Sequence, residues 1–109
     1  MSKIPTARSP GEELLAQHLA CYQILAVREY QFDRERRYRA DFFIAPNLLI
    51  EVEGGTWVDG RHNRPGGMAK DCVKYNTAVL RGFRVLRFTT DQVQSGEAID
   101  FIRKALGIA

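Results

Sequence analysis

Glu51 and Glu53 lie inside and just after the apolar run Leu48 to Val52, with Asp41 upstream, in the stretch R-A-D-F-F-I-A-P-N-L-L-I-E-V-E-G-G from Arg39 to Gly55. Side chains of a strand alternate between its faces, so Glu51 and Glu53 point one way while Ile50 and Val52 point the other. Two carboxylates on one face of a buried run need compensation, because an unpaired buried charge is strongly unfavourable. A hard divalent cation held by oxygen ligands is one compensation. A surface network with hairpin arginines is the other. Gly54 and Gly55, directly after the acids, favour the first, since they allow close backbone approach of a ligand. The chemistry that such acids suit is phosphodiester hydrolysis. A divalent metal neutralises the phosphate, activates water and stabilises the leaving oxygen. Asp41 and Glu51 on neighbouring strands can supply ligands to Mg2+, with Mn2+ as a substitute. Glu53 can hold a water or act as a general base.

Positioning these groups requires a sheet. Ser9-Pro10-Gly11-Glu12 reads as a helix start, with serine as N-cap, proline at the first position and Glu12 completing a capping box. That helix carries Leu14, Leu15, His18, Leu19, Tyr22 and Leu25 on one face and is expected to end near Ala26. Two strands follow, about Arg28 to Asp33 and Tyr38 to Ile44, joined by the polar tract Arg34 to Arg37. Ala45-Pro46-Asn47 is a second turn and Leu48 to Glu53 the third strand. Gly54 to Gly67 reads as a long loop. A helix over about Met68 to Arg81 would bury Met68, Cys72, Tyr75, Asn76, Val79 and Leu80, with Gly82 after it. Phe83 to Phe88 is the fourth strand, and Ser95 caps a last helix. The order α-β-β-β-α-β-α implies an α/β fold: a mixed four-stranded sheet flanked by helices, with a crossover between strands three and four.

The chain of 109 residues is expected to form a single domain over 1–109, with an ordinary hydrophobic content of 45%. A net charge of +3 permits a nucleic-acid partner without demanding one. The basic residues cluster: Arg28, Arg34, Arg36, Arg37 and Arg39 in one tract, Arg61, His62, Arg64 and Lys70 in another. Either tract is a phosphate-binding surface or simply solvated surface. Cys21 and Cys72 form no disulfide framework, and His18 with Cys21 lacks a second ligand pair, so both read as ordinary helix residues. No apolar run approaches the length of a membrane span and the N-terminus lacks a signal-like stretch, which leads us to expect a soluble cytoplasmic protein. No small-molecule cofactor is called for.

From about Ser9 to Phe88 the chain resembles the small nucleases of the PD-(D/E)XK superfamily. It is most similar to the branch of very-short-patch-repair-like endonucleases and the related domain of unknown function 559. The matching pieces, in order, are S-P-G-E-E-L-L, R-A-D-F-F, L-L-I-E-V-E-G-G and K-D-C-V-K-Y-N-T-A-V-L-R-G-F-R-V-L-R-F. The resemblance implies the αβββαβ(α) restriction-endonuclease-like core and a metal-dependent DNA endonuclease, with a homodimer as one arrangement. It makes Asp41 the motif aspartate, Glu51 the (D/E) residue and Glu12 an extra metal ligand, although a capping box alone also accounts for Glu12. Glu53 occupies the lysine position. Lys70 and Lys74 on the next helix are candidates for a migrated lysine, and His62 is a candidate general base. Asp71 and Lys74 resemble a charged pair of this branch, expected either to orient the site or to pair with each other as i, i+3 partners rather than do chemistry.

Trp57 either stacks on a base or closes the core from above. Arg61, His62 and Arg64 suit phosphate contacts, as do Arg36, Arg37, Arg39 and Lys74. Such contacts give affinity without sequence readout, so recognition of DNA structure is expected rather than recognition of sequence. Two other readings stay open. One is a nucleic-acid-binding module that has lost catalysis, supported by the missing motif lysine. The other is an interaction domain whose acids only pair with Arg36, Arg37 and Arg39.

Overall fold

The computed structural model describes residues 9–53, 57–58, 61–62 and 67–108. Helix α1 spans Pro10–Cys21. The Ser9 hydroxyl accepts from the Glu12 N–H at 3.2 Å, and proline stands in the first turn, where its missing N–H costs nothing. The helix stops earlier than the periodicity suggests. Gln23 takes a left-handed φ of 57°, and the Ile24 N–H bonds back to the Leu19 carbonyl. Leu25 is therefore outside the helix and 90% exposed.

Strands β1 (Val27–Asp33), β2 (Tyr38–Ile44) and β3 (Leu48–Glu53) form an antiparallel meander. Two short strands, β4 (Trp57–Val58) and β5 (Arg61–His62), pair within the stretch that reads as loop. Helix α2 (Gly67–Leu80) then crosses to β6 (Arg84–Thr89), which runs parallel to β3. A one-turn helix α3 (Thr90–Gln94) follows, capped reciprocally by Thr89 and Gln92, and then α4 (Glu97–Leu106). Ser95 closes α3, and its hydroxyl also accepts the first N–H of α4, from Glu97 at 3.3 Å, while the N-cap position of α4 is Gly96 in the left-handed region. The sheet order is β1-β2-β3-β6, so the mixed four-stranded sheet flanked by helices is the fold. Among the described residues, no helix is long and apolar enough to cross a membrane.

Two hydrophobic clusters lie on opposite faces of the sheet. Leu15 and Leu19 of α1, with Val93, Ala98, Ile99 and Ile102, pack against Phe42, Ile44, Leu48, Ile50 and Val52. On the other face, Ala78 of α2 meets Leu49, Phe43, Phe83 and Val85. Close approach of α1 to α3 depends on Gly11, since a Cβ there would lie 2.8 Å from the Thr90 hydroxyl oxygen and 3.2 Å from its Cα. This contact fixes the turn that carries Glu12.

Helix α2 is turned away from the expected orientation, and of the expected stripe Tyr75 alone is partly buried. Met68, Val79 and Leu80 are 75%, 58% and 87% exposed, and Cys72 is exposed too. Gly67 and Ala78 are buried, and Lys74 reaches into the sheet. The apolar periodicity is real, but the helix turns its small and charged residues inward, because carboxylates of β3 wait there for a cation.

The β1–β2 hairpin changes faces midway. Arg28 and Phe42 lie on the α1 side, whereas Tyr30, Phe32 and Ala40 belong to the α2-side cluster, together with Phe43. In a regular strand Phe42 and Ala40 would share a face. The swap occurs at Glu29, whose φ is +53°, and at Asp41, the residue facing it in a register that pairs Arg28 with Phe42 and Tyr30 with Ala40. Beyond this point the hairpin folds onto the α2 side. There Tyr30 stacks on Phe43 with centroids 4.3 Å apart, and Phe32 meets Phe83 edge-on at 5.8 Å.

Candidate active site

The face swap leaves Asp41 without a regular ladder position, and its side chain takes over. Asp41 Oδ2 accepts the Val52 N–H at 2.8 Å, bridging β2 to β3 where backbone pairing has stopped at Phe42 and Ile50. Burial raises the Asp41 pKa, the Val52 N–H opposes that, and the Glu29 charge adds to it.

Three carboxylates converge at this point. Oxygens of Glu12 (α1), Glu29 (β1) and Asp41 (β2) all lie within 4.8 Å of one another. Oxygens on opposite sides of an octahedral Mg2+ are about 4.2 Å apart, since each bond is about 2.1 Å. The cluster therefore needs only small side-chain movements to close on such an ion, and an all-oxygen donor set suits a hard cation. Glu12 is buried, and burial together with the neighbouring Asp41 charge lifts its pKa to about 7. The Arg28 guanidinium works the other way: it donates to Glu12 at 3.1 Å and to Glu13 at 2.8 Å while lying over the Phe42 ring. The Glu12 N–H thus makes its capping bond to Ser9 while its carboxylate turns inward to Arg28.

Glu51 lies on the α2-facing side of β3 at 9% exposure. Burial lifts its pKa to about 7, the Lys74 ammonium pulls it down, and Asp41 pushes it up. Lys74 Nζ donates to Glu51 Oε2 at 2.8 Å. Lys74 thus meets Glu51 rather than pairing with Asp71 along the helix, while Lys70 is exposed. Glu53, on the same face as Glu51, accepts from Nε and Nη2 of Arg87 at 3.0 and 2.9 Å. Arg87 in turn lies 4.2 Å above the Tyr75 ring, whose hydroxyl pKa is raised by burial and by Glu51 and Glu53.

The structure brings together Glu12, Asp41, Glu51 and Lys74 from the residues that sequence analysis selected, with Glu53 beside them in its own ion pair. It carries Arg36 away, into contact with Asp33. Arg37 stands in the hairpin turn with φ +60°, and Arg39 is exposed on β2. Trp57, Arg61 and His62 belong to the β4–β5 pair; their side chains, and Arg64 entirely, lie outside the described residues. Sequence reasoning missed Glu29. On a regular strand Val27, Glu29 and Gln31 read as a solvent-facing row, and nothing in R-E-Y announces a left-handed residue. It also missed Arg28 and Arg87, the two arginines that do meet the acids.

Comparison of the sequence with protein-family models and with curated proteins gives no match. Among solved structures, the chain is similar to the catalytic domain of the homing endonuclease I-Bth0305I. The TM-score is 0.66 and the identity 21%, over 93% of this chain and 92% of that one. At that identity the likeness speaks for the architecture: the chain has a nuclease-like α/β fold.

Proposed function

We propose that this protein is a metal-dependent endonuclease that hydrolyses DNA phosphodiester bonds, with recognition of DNA structure rather than sequence. The observation that carries this reading is the meeting of Glu12, Glu29 and Asp41 at one point of the sheet, beside the bonded pair Glu51–Lys74. The similarity to a homing endonuclease catalytic domain supports it.

In this reading Glu12, Glu29 and Asp41 hold a divalent cation, Mg2+ or Mn2+. When bound, the ion supplies charge neutralisation at the phosphate and activation of water. Glu51 takes a proton from the attacking water, a role suited to a carboxylate with a pKa of about 7. Lys74 orients Glu51 from α2 and faces the charge that develops on the phosphate. Glu53 is held by Arg87 and fills the motif-lysine position on β3 without taking the proton. Cleavage of both strands would call for two copies of the chain, which sedimentation with and without DNA would reveal.

The test is cleavage of supercoiled plasmid and of a labelled branched duplex, with Mg2+, Mn2+ or EDTA, beside Glu51→Ala. Metal-dependent cutting that the variant loses supports the reading. DNA binding by well-folded wild-type protein, with no cutting of either substrate, would instead make the chain a catalytically silent binding module.

A further inference from the structure

Asp33, at the end of β1, is a carboxylate with a side chain only 1% exposed. Its Oδ1 accepts the Arg36 N–H at 3.0 Å. Its Oδ2 receives two guanidinium groups at once, Arg36 Nη1 at 3.1 Å and Arg81 Nη2 at 3.2 Å. Arg81 follows α2 directly, so the contact ties the hairpin tip to that helix. One arginine would neutralise the carboxylate and make the tie. The second is still drawn in by the carboxylate, and it leaves the trio with a net positive charge that an anion can meet.

Both arginines are close to half exposed, 49% for Arg36 and 46% for Arg81, so each keeps N–H groups facing solvent. A guanidinium fixed on one edge by a carboxylate presents its other edge in a fork that matches phosphate oxygens. Arg34, Arg37 and Arg39 stand on the same tip. Five arginines there, against Asp33 and Glu35, leave an excess of three positive charges, equal to the net +3 of the whole chain.

The position relative to the acidic site is defined by the helix. Arg81 lies two turns beyond Lys74, in nearly the same angular position and about 10 Å along the axis at 1.5 Å per residue. A strand that runs along α2 with one phosphate at Lys74 and Glu51 therefore presents a nearby phosphate of the same strand to Arg36 and Arg81.

We infer that Arg36 and Arg81, set by the buried Asp33, form a second, non-catalytic phosphate-binding site that holds the nucleic-acid backbone beside the scissile bond. This rests on the nucleic-acid reading above. The test is fluorescence anisotropy of an end-labelled duplex of about 20 base pairs, in EDTA so that nothing is cut, across a salt titration. Wild type is compared with Arg36→Gln/Arg81→Gln and Arg36→Lys/Arg81→Lys, each checked by thermal melting. The glutamine pair should weaken binding by about tenfold or more and flatten the salt slope by roughly one to two. The lysine pair should keep most of the slope, which a purely structural ion pair would not require. Unchanged affinity and slope in a folded glutamine pair overturn the inference and leave the nuclease reading standing. Loss of binding to phosphatidylserine vesicles with DNA binding intact would also overturn it, and would assign the corner to an anionic surface of another kind. If the wild type binds no duplex here and also cuts no plasmid with Mg2+ or Mn2+, the nuclease reading falls with it.

Discussion

Lys74 of α2 donates to Glu51 of β3 at 2.8 Å, across the crossover that makes those two elements neighbours. Removing the ammonium leaves a buried carboxylate unpaired. Lys74→Met should lower the initial rate of plasmid nicking by about 10²–10⁴-fold, the range of a lost proton-transfer or charge-stabilising group. Lys70→Met, at an exposed position, should leave stability within about 0.5 kcal/mol and the rate nearly unchanged. The reverse pattern in a plasmid assay would move the migrated lysine from Lys74 to Lys70.

The three-carboxylate cluster makes a prediction about Glu29. Calorimetric titration with Mn2+ should show one site, weakened by about tenfold or more in each of Glu12→Gln, Glu29→Gln and Asp41→Asn, because affinity follows ligand charge and number. If Glu29→Gln binds like wild type, Glu29 is a bystander and the ion sits nearer Glu51.

The dependence of stability on pH follows from burial. Glu12 and Glu51 have folded pKa values of about 7 against an ordinary 4.5. Between those values the folded chain binds more protons than the unfolded one, so stability falls as pH rises through the window and levels off above it. Metal-free protein should lose roughly 5–10 °C of melting temperature between about pH 5 and pH 7.5. Asp33 acts in the opposite sense, held low by the Arg36 N–H, but only below its ordinary 3.8. Glu51→Gln should flatten the curve, and melting followed by circular dichroism checks both expectations.

Helix α2 offers a test of its orientation. With Met68 and Leu80 facing solvent, Met68→Glu and Leu80→Glu should each change stability by less than about 0.5 kcal/mol in denaturant titrations. An inward-facing stripe would instead lose several kcal/mol. Ala78→Leu, on the face that meets the sheet, should cost about 1–3 kcal/mol through overpacking.

Much of the architecture was legible because it rests on local rules. The runs Tyr38–Ile44 and Leu48–Glu53 have the strand bounds that their apolar residues suggest, and Ser9 with Pro10 starts α1 as expected. What escaped has a common cause. Periodicity says which residues of α2 share a face, not which face looks inward, and here charge decided against the apolar stripe. A strand that changes faces at Glu29 reads as one regular strand, because a left-handed glutamate is imposed by tertiary packing of Tyr30 and Phe32 rather than by its own propensity. The β4–β5 pair has two residues per strand, too few to show alternation. The Thr89 and Gln92 capping box was there to be read as the start of α3.

The face swap in the β1–β2 hairpin also bears on when the site comes into being. Glu12, Glu29, Asp41, Glu51 and Lys74 arrive from five separate elements, and two of them are in place only because the distal hairpin has folded onto Phe43 and Phe83. During synthesis from the N-terminus, every acid emerges before the lysine that completes the set, and before Phe83, against which the hairpin packs. A partly made or partly folded chain therefore carries the carboxylates without their arrangement. The hydrolytic activity proposed for it would be withheld until the last strand has joined the sheet.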